Sequence, residues 1–360
     1  MKRFERTRLL RAIAGLALAG LAMPAMADES RAYVPLGSAN SIAVIDTDSY
    51  QVSGQAQGVV NSHGSDLTPD GRFLVAGSLS PRESGKAPSK PAGVSADDHA
   101  AHHGGGGDTA ASSSPQAQGT LYLIDTASQE VVRQFDVPGP VHHVLVTVDG
   151  RYAVSTHPMG GGISVVSLES GELVANLATG PAPNYMVQNP QDRTLYVSNS
   201  GNGTISEVDP ENWFVRKNMR LDGSPEHMVL DSDRGLLYAN DATGGQAIAL
   251  DLESGDVVAR YLIGTKPHGI DLSADRGTLY ATSQGDDRLV AVNLADGATR
   301  EMELAPAPYH LAINPADGKL LVSSSEQSQL WVVDQLTLDI LETLPLAGIG
   351  HQIAIEAAAE

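Results

Sequence analysis

The sequence predicts an all-β, seven-bladed β-propeller with four-stranded antiparallel blades. Three observations carry this. One strand type recurs seven times along the chain. Polar turns precede it at fixed offsets. The chain opens with three strand-like runs and closes with a single one, so its two ends complete one blade.

The recurring strand reads IAVIDTDS from 42, LYLIDTAS from 121, ISVVSLES from 163 and ISEVDPEN from 205. It continues as AIALDLES from 247, LVAVNLAD from 289 and LWVVDQLT from 330. From the second copy onward the intervals are 42, 42, 42, 42 and 41 residues. A second strand precedes it, as FLVAGS, YAVSTH, LYVSNS, LYANDA, LYATSQ or LLVSSS. Ahead of that lie turns such as TPDG (68–71), TVDG (147–150) and PADG (315–318). Asp-Gly supplies the backbone freedom that a tight hairpin needs. With a variable fourth strand, each unit holds four short strands, the size of a propeller blade.

LYVSNSGNGTISEVDPE and LYATSQGDDRLVAVNLADG resemble the repeat of the YVTN (tyrosine-valine-threonine-asparagine) propeller family, and GTKPHGIDLSADRGTLY matches its loop and turn. The resemblance covers residues 31–360. It implies the propeller fold and no single activity, because the family is a scaffold with many uses.

Closure follows from the ends. HQIAIE (351–356) is a lone inner strand, and AYVPLGS, NSIAVID and QVSGQAQ supply three more. The N-terminal strands are therefore expected to close the last blade and leave no free edge. Trp213 and Trp331 fall on blade strands and are expected to be packing residues.

Two segments stand outside the repeat. Residues 1–27 read as a signal peptide, with a basic start, an apolar run from Ile13 to Ala22 and an Ala25-Met26-Ala27 cleavage site. The expected location is periplasmic or secreted. Residues 80–119 interrupt the first blade between its second and third strands. They are rich in Gly, Ser, Ala and Pro, and read as a disordered, histidine-rich insert within a single propeller of 28–360.

The net charge is −20, and removal of the leader makes it more negative. That balance opposes nucleic acid and anionic lipid as partners. No later segment has the length and apolarity of a membrane span. Cysteine is absent, so disulfides and thiolate metal sites are excluded. There is no nucleophile elbow, phosphate loop or Asp-x-Asp calcium loop, and the sequence leans away from catalysis.

The histidines carry the functional signal. The segments leading into the inner strands align His63, His143, Tyr185, His227, His268, His310 and His351, in steps of 80, 42, 42, 41, 42 and 41. These turns should ring one mouth of the central channel. His142, His157 and the insert's His99, His102 and His103 are expected on the same face as auxiliary ligands. Imidazoles without thiolates suit zinc or copper. The sequence thus points to a metal-binding propeller that sequesters or delivers zinc or copper, with a metal ion and a periplasmic protein as partners. A protein-interaction scaffold is the alternative, in which the histidines only hydrogen-bond neighbouring blades. A metalloenzyme or a d1-haem-handling propeller is the third reading, with Tyr185 and a hub histidine on the macrocycle.

Overall fold

Each repeat folds into one antiparallel four-stranded sheet, and seven such sheets are present in the computed structural model. The structure describes residues 30–81 and 118–356. The leader lies outside the described residues, as does most of the insert with His99, His102 and His103. Six blades follow the chain, at 62–137, 144–178, 183–220, 225–262, 267–303 and 308–345. The seventh is composite. Arg31–Leu36, Ser41–Asp46 and Gln51–Gln57 are joined by Ala354–Ile355 as the innermost strand. Tyr33 pairs with Ala354, the Tyr33 hydroxyl donates to Glu356 at 2.8 Å, and Leu36 bridges to Gly350. The expected closure is present, although the last strand is shorter than 351–356. Among the described residues no helix is long and apolar enough to cross a membrane.

Burial follows position in the blade. Second strands such as Leu195–Asn199 are buried along their whole length, because neighbouring blades cover both faces. Outer strands such as Leu173–Ala178 are largely exposed. The cores lie between blades. Val154, Ile163 and Val165 of one blade pack on Met186, Val197 and Trp213 of the next. Trp331 is buried in another such layer. Both tryptophans are packing residues, as expected.

Two polar devices tie the inner strands together. Toward the lower end, Asp66 accepts from the backbone N–H of Val146 in the next blade, at 2.8 Å. Asp271 does the same for Ile313 at 2.9 Å, while Gln188 accepts from the Val148 N–H of the preceding blade at 2.8 Å. At the upper end, the inner strand carries a β-bulge in five blades. Pro183 pairs with Asn199 and Met186 with Val197, so Asn184 and Tyr185 both oppose the single residue Ser198. Ser198 accepts from the Tyr185 N–H at 2.9 Å and donates to the Glu226 carbonyl of the next blade at 2.7 Å. Thr156 serves His143 and Asn184 in the same way, and Thr282 serves Gly269 and Tyr309. In these three blades a second-strand hydroxyl thus fixes the inner strand to its neighbour, and in the blade at 225–262 the Asn240 side chain donates to the His268 carbonyl in its place.

Candidate metal centre

A bulge releases two residues per blade from the ladder and re-aims their side chains. These two positions build the hub. The first holds His63, His142, Asn184, Glu226, His268 and Tyr309, with His351 in the turn of the closing blade. The second holds Gly64, His143, Tyr185, His227, Gly269, His310 and Gln352. The single register expected from the sequence is therefore two registers. His63, His268 and His351 sit one place earlier than His143, Tyr185, His227 and His310. Backbone pairing sets this, not the histidine spacing. Gly64 and Gly269 fill the second position because a Cβ there would meet the next blade's backbone, at 2.5 Å from His143 Cα and 2.6 Å from Leu311 N.

All seven hub histidines meet. His63 contacts the rings of His142 and His351 at 4.4 Å, His143 at 5.0 Å and His310 at 5.3 Å between centroids. His227 lies 4.8 Å from His143, 4.1 Å from His268 and 4.6 Å from His310. Tyr185 packs on His143 and His227 at 4.8 and 4.5 Å. Three trios bring one ring nitrogen each within 4.8 Å of one another: His143, His227 and His310; His63, His142 and His143; His63, His310 and His351. The first trio is made of the three second-position histidines, and all three are buried. His142 and His351 are half-buried.

The ring nitrogens are poorly partnered. Nε2 of His143, His227, His268 and His310, Nδ1 of His142 and His351, and both nitrogens of His63 are buried with no hydrogen-bond partner among the described residues. An unpaired buried polar group costs about 1–3 kcal/mol, so a purely packing site would favour apolar side chains. Two rings are anchored from behind. His143 Nδ1 donates to the Asn184 carbonyl at 2.8 Å, which leaves Nε2 with the lone pair. His268 Nδ1 lies 3.2 Å from a Glu226 carboxylate oxygen. Such carbonyl and carboxylate partners are the usual orienting groups behind metal-bound histidines.

Burial, reinforced by neighbouring imidazoles, pushes His63, His143, His227 and His310 well below the usual imidazole range. Burial lowers His142 and His351 to about 4. These six histidines therefore favour the neutral form near pH 7, with lone pairs available to a cation.

His157 does not join the cluster. It ends the second strand Tyr152–His157 instead of lying in the connection after it, and is buried. Its Nδ1 donates to the Pro140 carbonyl at 3.0 Å, and Nε2 contacts Ser164 and Ser155 hydroxyls at 2.8 and 3.2 Å. Both nitrogens are engaged within its own blade, so it is a structural histidine. Met159, two residues on, is 93% exposed. Sequence reasoning missed Glu226, and also Tyr309, which stacks on His268 at 3.8 Å. Both occupy the first bulge position. The alternative register His63, His142, Asn184, Glu226, His268, Tyr309, His351, with steps of 79, 42, 42, 42, 41 and 42, was open to view in the sequence.

The sequence profile described as outer membrane protein assembly factor BamB matches residues 78–340. The chain belongs to that family. No curated protein matches it by sequence. Among solved structures, this BamB-family propeller is similar to the Pseudomonas aeruginosa periplasmic gluconolactonase PpgL, with a TM-score of 0.69, 18% identity, and 92% of this chain and 99% of that one covered. It is similar to a dihydro-haem d1 dehydrogenase, NirN, in complex with DHE, with a TM-score of 0.62, 14% identity and 88% of this chain covered. This propeller spans 64% of that enzyme's length. Kuenenia stuttgartiensis hydrazine synthase is also similar, with a TM-score of 0.65 and 15% identity over 81% of this chain and 89% of that one. At these identities the likeness is one of fold.

Proposed function

We propose that this chain is an exported, periplasmic propeller of YVTN-type repeats that binds zinc or copper through its hub and sequesters or delivers the ion. One observation carries the reading. Three buried histidines from three blades, His143, His227 and His310, turn unpartnered Nε2 atoms toward one another. Three neutral imidazoles leave a fourth position open on a tetrahedral ion, which is the ligand set of an exchangeable zinc site and also suits copper. His268 stands beside this trio with Glu226 behind it. His63 contacts His143 and His310 of this trio and also His142 and His351, and Tyr185 packs on His143 and His227.

The insert supports a delivery role. Its stem leaves blade one beside the hub, where Leu79 N–H donates to the Asn61 carbonyl two residues before His63. His99, His102 and His103 in it would capture the ion loosely.

The haem reading gains nothing from the hub. Rings from separate arcs touch across it, His143 to His310 at 5.6 Å, and Gln352 donates to the Tyr185 hydroxyl at 3.4 Å. These contacts favour a small ion over a macrocycle as the hub's ligand.

The test is elemental analysis of the mature protein purified untagged from a periplasm. About one tightly held zinc or copper per chain is expected, absent from the H143A/H227A/H310A variant. A wild type that carries neither metal, and gains no thermal stability from either, leaves the scaffold alternative standing.

A further inference from the structure

The two trios that contain His63 differ from the buried trio in ways that assign them a separate task. Each includes one half-buried histidine, His142 or His351, whereas the third trio is wholly buried. Each also shares one member with the buried trio, His143 in one case and His310 in the other. The outer and inner positions are therefore not independent sites. They overlap by one ligand on either side.

His63 is the member common to both outer trios, and it is unlike its neighbours. Among the described hub histidines it alone has both ring nitrogens buried without a partner. The His143 ring is held by the Asn184 carbonyl and the His268 ring by Glu226, but no hydrogen bond fixes the His63 ring. Either nitrogen can therefore be presented by a tautomer change or a ring turn. Its backbone, by contrast, is held firmly. The next residue, Gly64, packs so closely on His143 that no Cβ fits. The His63 carbonyl also accepts from the Gln352 N–H at 3.3 Å. A fixed backbone carrying an unanchored ring, placed between half-exposed and buried ligands, is suited to passing an ion along.

We propose that His63, with His142 on one side and His351 on the other, forms a transient metal position at the channel mouth through which the ion enters and leaves the buried trio. This rests on the hub binding a metal as proposed above. The balance is one of ligand exchange. An ion held by His63, His142 and His143 keeps its bond to His143 while Nε2 of His227 and His310 replace the other two nitrogens. From the second outer trio it keeps His310 while His143 and His227 replace His63 and His351. Every donor is an imidazole nitrogen, so each exchange replaces like with like and the charge on the ion is unchanged. The overlap means the ion never has to shed all its ligands at once, which is the slow step for a buried ion.

The experiment uses the full mature chain and zinc alone as probe. Uptake is followed by stopped flow, release by transfer to excess chromophoric chelator, and the equilibrium Kd by competition. H63F keeps a ring against His142 and His351 and removes both donors. Uptake and release should both slow by about tenfold or more, while Kd, their ratio, stays within about threefold. H142A/H351A should slow both steps in the same paired manner, and H63Q, which returns one donor atom, should restore part of the rate. Unchanged rates in H63F, or a weakened Kd with faster release, would overturn the proposal: the first makes His63 a bystander, the second a permanent ligand. A wild type that binds no zinc refutes the underlying metal reading instead.

Discussion

The two ends of the inner strands solve the same problem differently. At the lower end Asp66, Gln188 and Asp271 are partly buried polar residues, and each accepts a backbone N–H from a neighbouring blade. At the upper end the histidines are buried or half-buried, yet their inward nitrogens have no partner among the described residues. A repeat fold can clearly satisfy polar groups on its inner strands where they serve to join blades. Where they are left unsatisfied at the other end, the same strands offer nitrogens free for a ligand, as the proposed function requires.

The largest expected effect concerns that missing partner. With zinc or copper at a hundredfold excess over Kd, the wild type should gain about 2.7 kcal/mol by mass action. H143A/H227A/H310A should gain nothing, whereas D66N/D271N should keep the full gain. Thermal melts with and without metal decide this, and an equal gain in the hub variant would erase the distinction between the two ends.

The second prediction sets the two ends against each other in pH. Burial raises Asp66 and Asp271 to about 6, above their unfolded value. From pH 6 toward 4 the folded state binds these protons first, so the carboxylates add stability as pH falls. Burial lowers His142 and His351 to about 4, below their unfolded value near 6.5. Over the same range the unfolded state binds those protons first, so the histidines remove stability as pH falls. Replacing both aspartates by asparagine removes this acid-side support. Because each carboxylate accepts one backbone N–H on each oxygen, the amide loses one of the two bonds and should cost on the order of 1 kcal/mol per site at pH 7.5. The loss should be larger at pH 4, and the acid-side fall in Tm should steepen. A D66N/D271N melting curve parallel to wild type across this range would show that the carboxylates are not held up by burial.

The smallest effect belongs to the hub without metal. H227F keeps a ring in place and removes one orphan nitrogen. It should shift metal-free stability by less than about 1.5 kcal/mol in either direction, as volume-conserving swaps do. A much larger loss in a denaturant titration would mean that His227 ties blades together, as Ser198 and Thr282 do.

Much of this was legible in the sequence. The strand copies at 121, 163, 205, 247, 289 and 330 set the blades, and HQIAIE against AYVPLGS set the closure. The gathering of histidines was legible too, because every segment leading into an inner strand reaches the same mouth. The depth of each histidine was not. PEHM and KPHG look alike as sequence, yet pairing places His227 second in its bulge and His268 first. That shift depends on which residue opposes the bulge, Asn240 or Thr282, and on whether a glycine must follow to clear the next blade. It turns on backbone hydrogen bonds and excluded volume, which spacing does not record. His157 misled for a related reason. Its neighbours Ser155 and Ser164 satisfy it from positions on the sheet, and no linear motif shows that they converge.

The bulges also bear on how such a hub could arise and change. A residue inside a strand is constrained by its cross-strand partner, so altering it risks the pairing of the whole blade. The two bulge residues face a single residue opposite, so their side chains are freed from cross-strand pairing except where the next blade's backbone comes too close for a Cβ, as at Gly64 and Gly269. Duplication of a blade therefore copies a pair of open positions along with the fold. Histidine, tyrosine, glutamate, asparagine and glycine all occupy them here without disturbing the sheet. Selection could compose a ligand set across the ring one blade at a time, each step nearly neutral for folding, while the barrel of blades that carries it stayed the same.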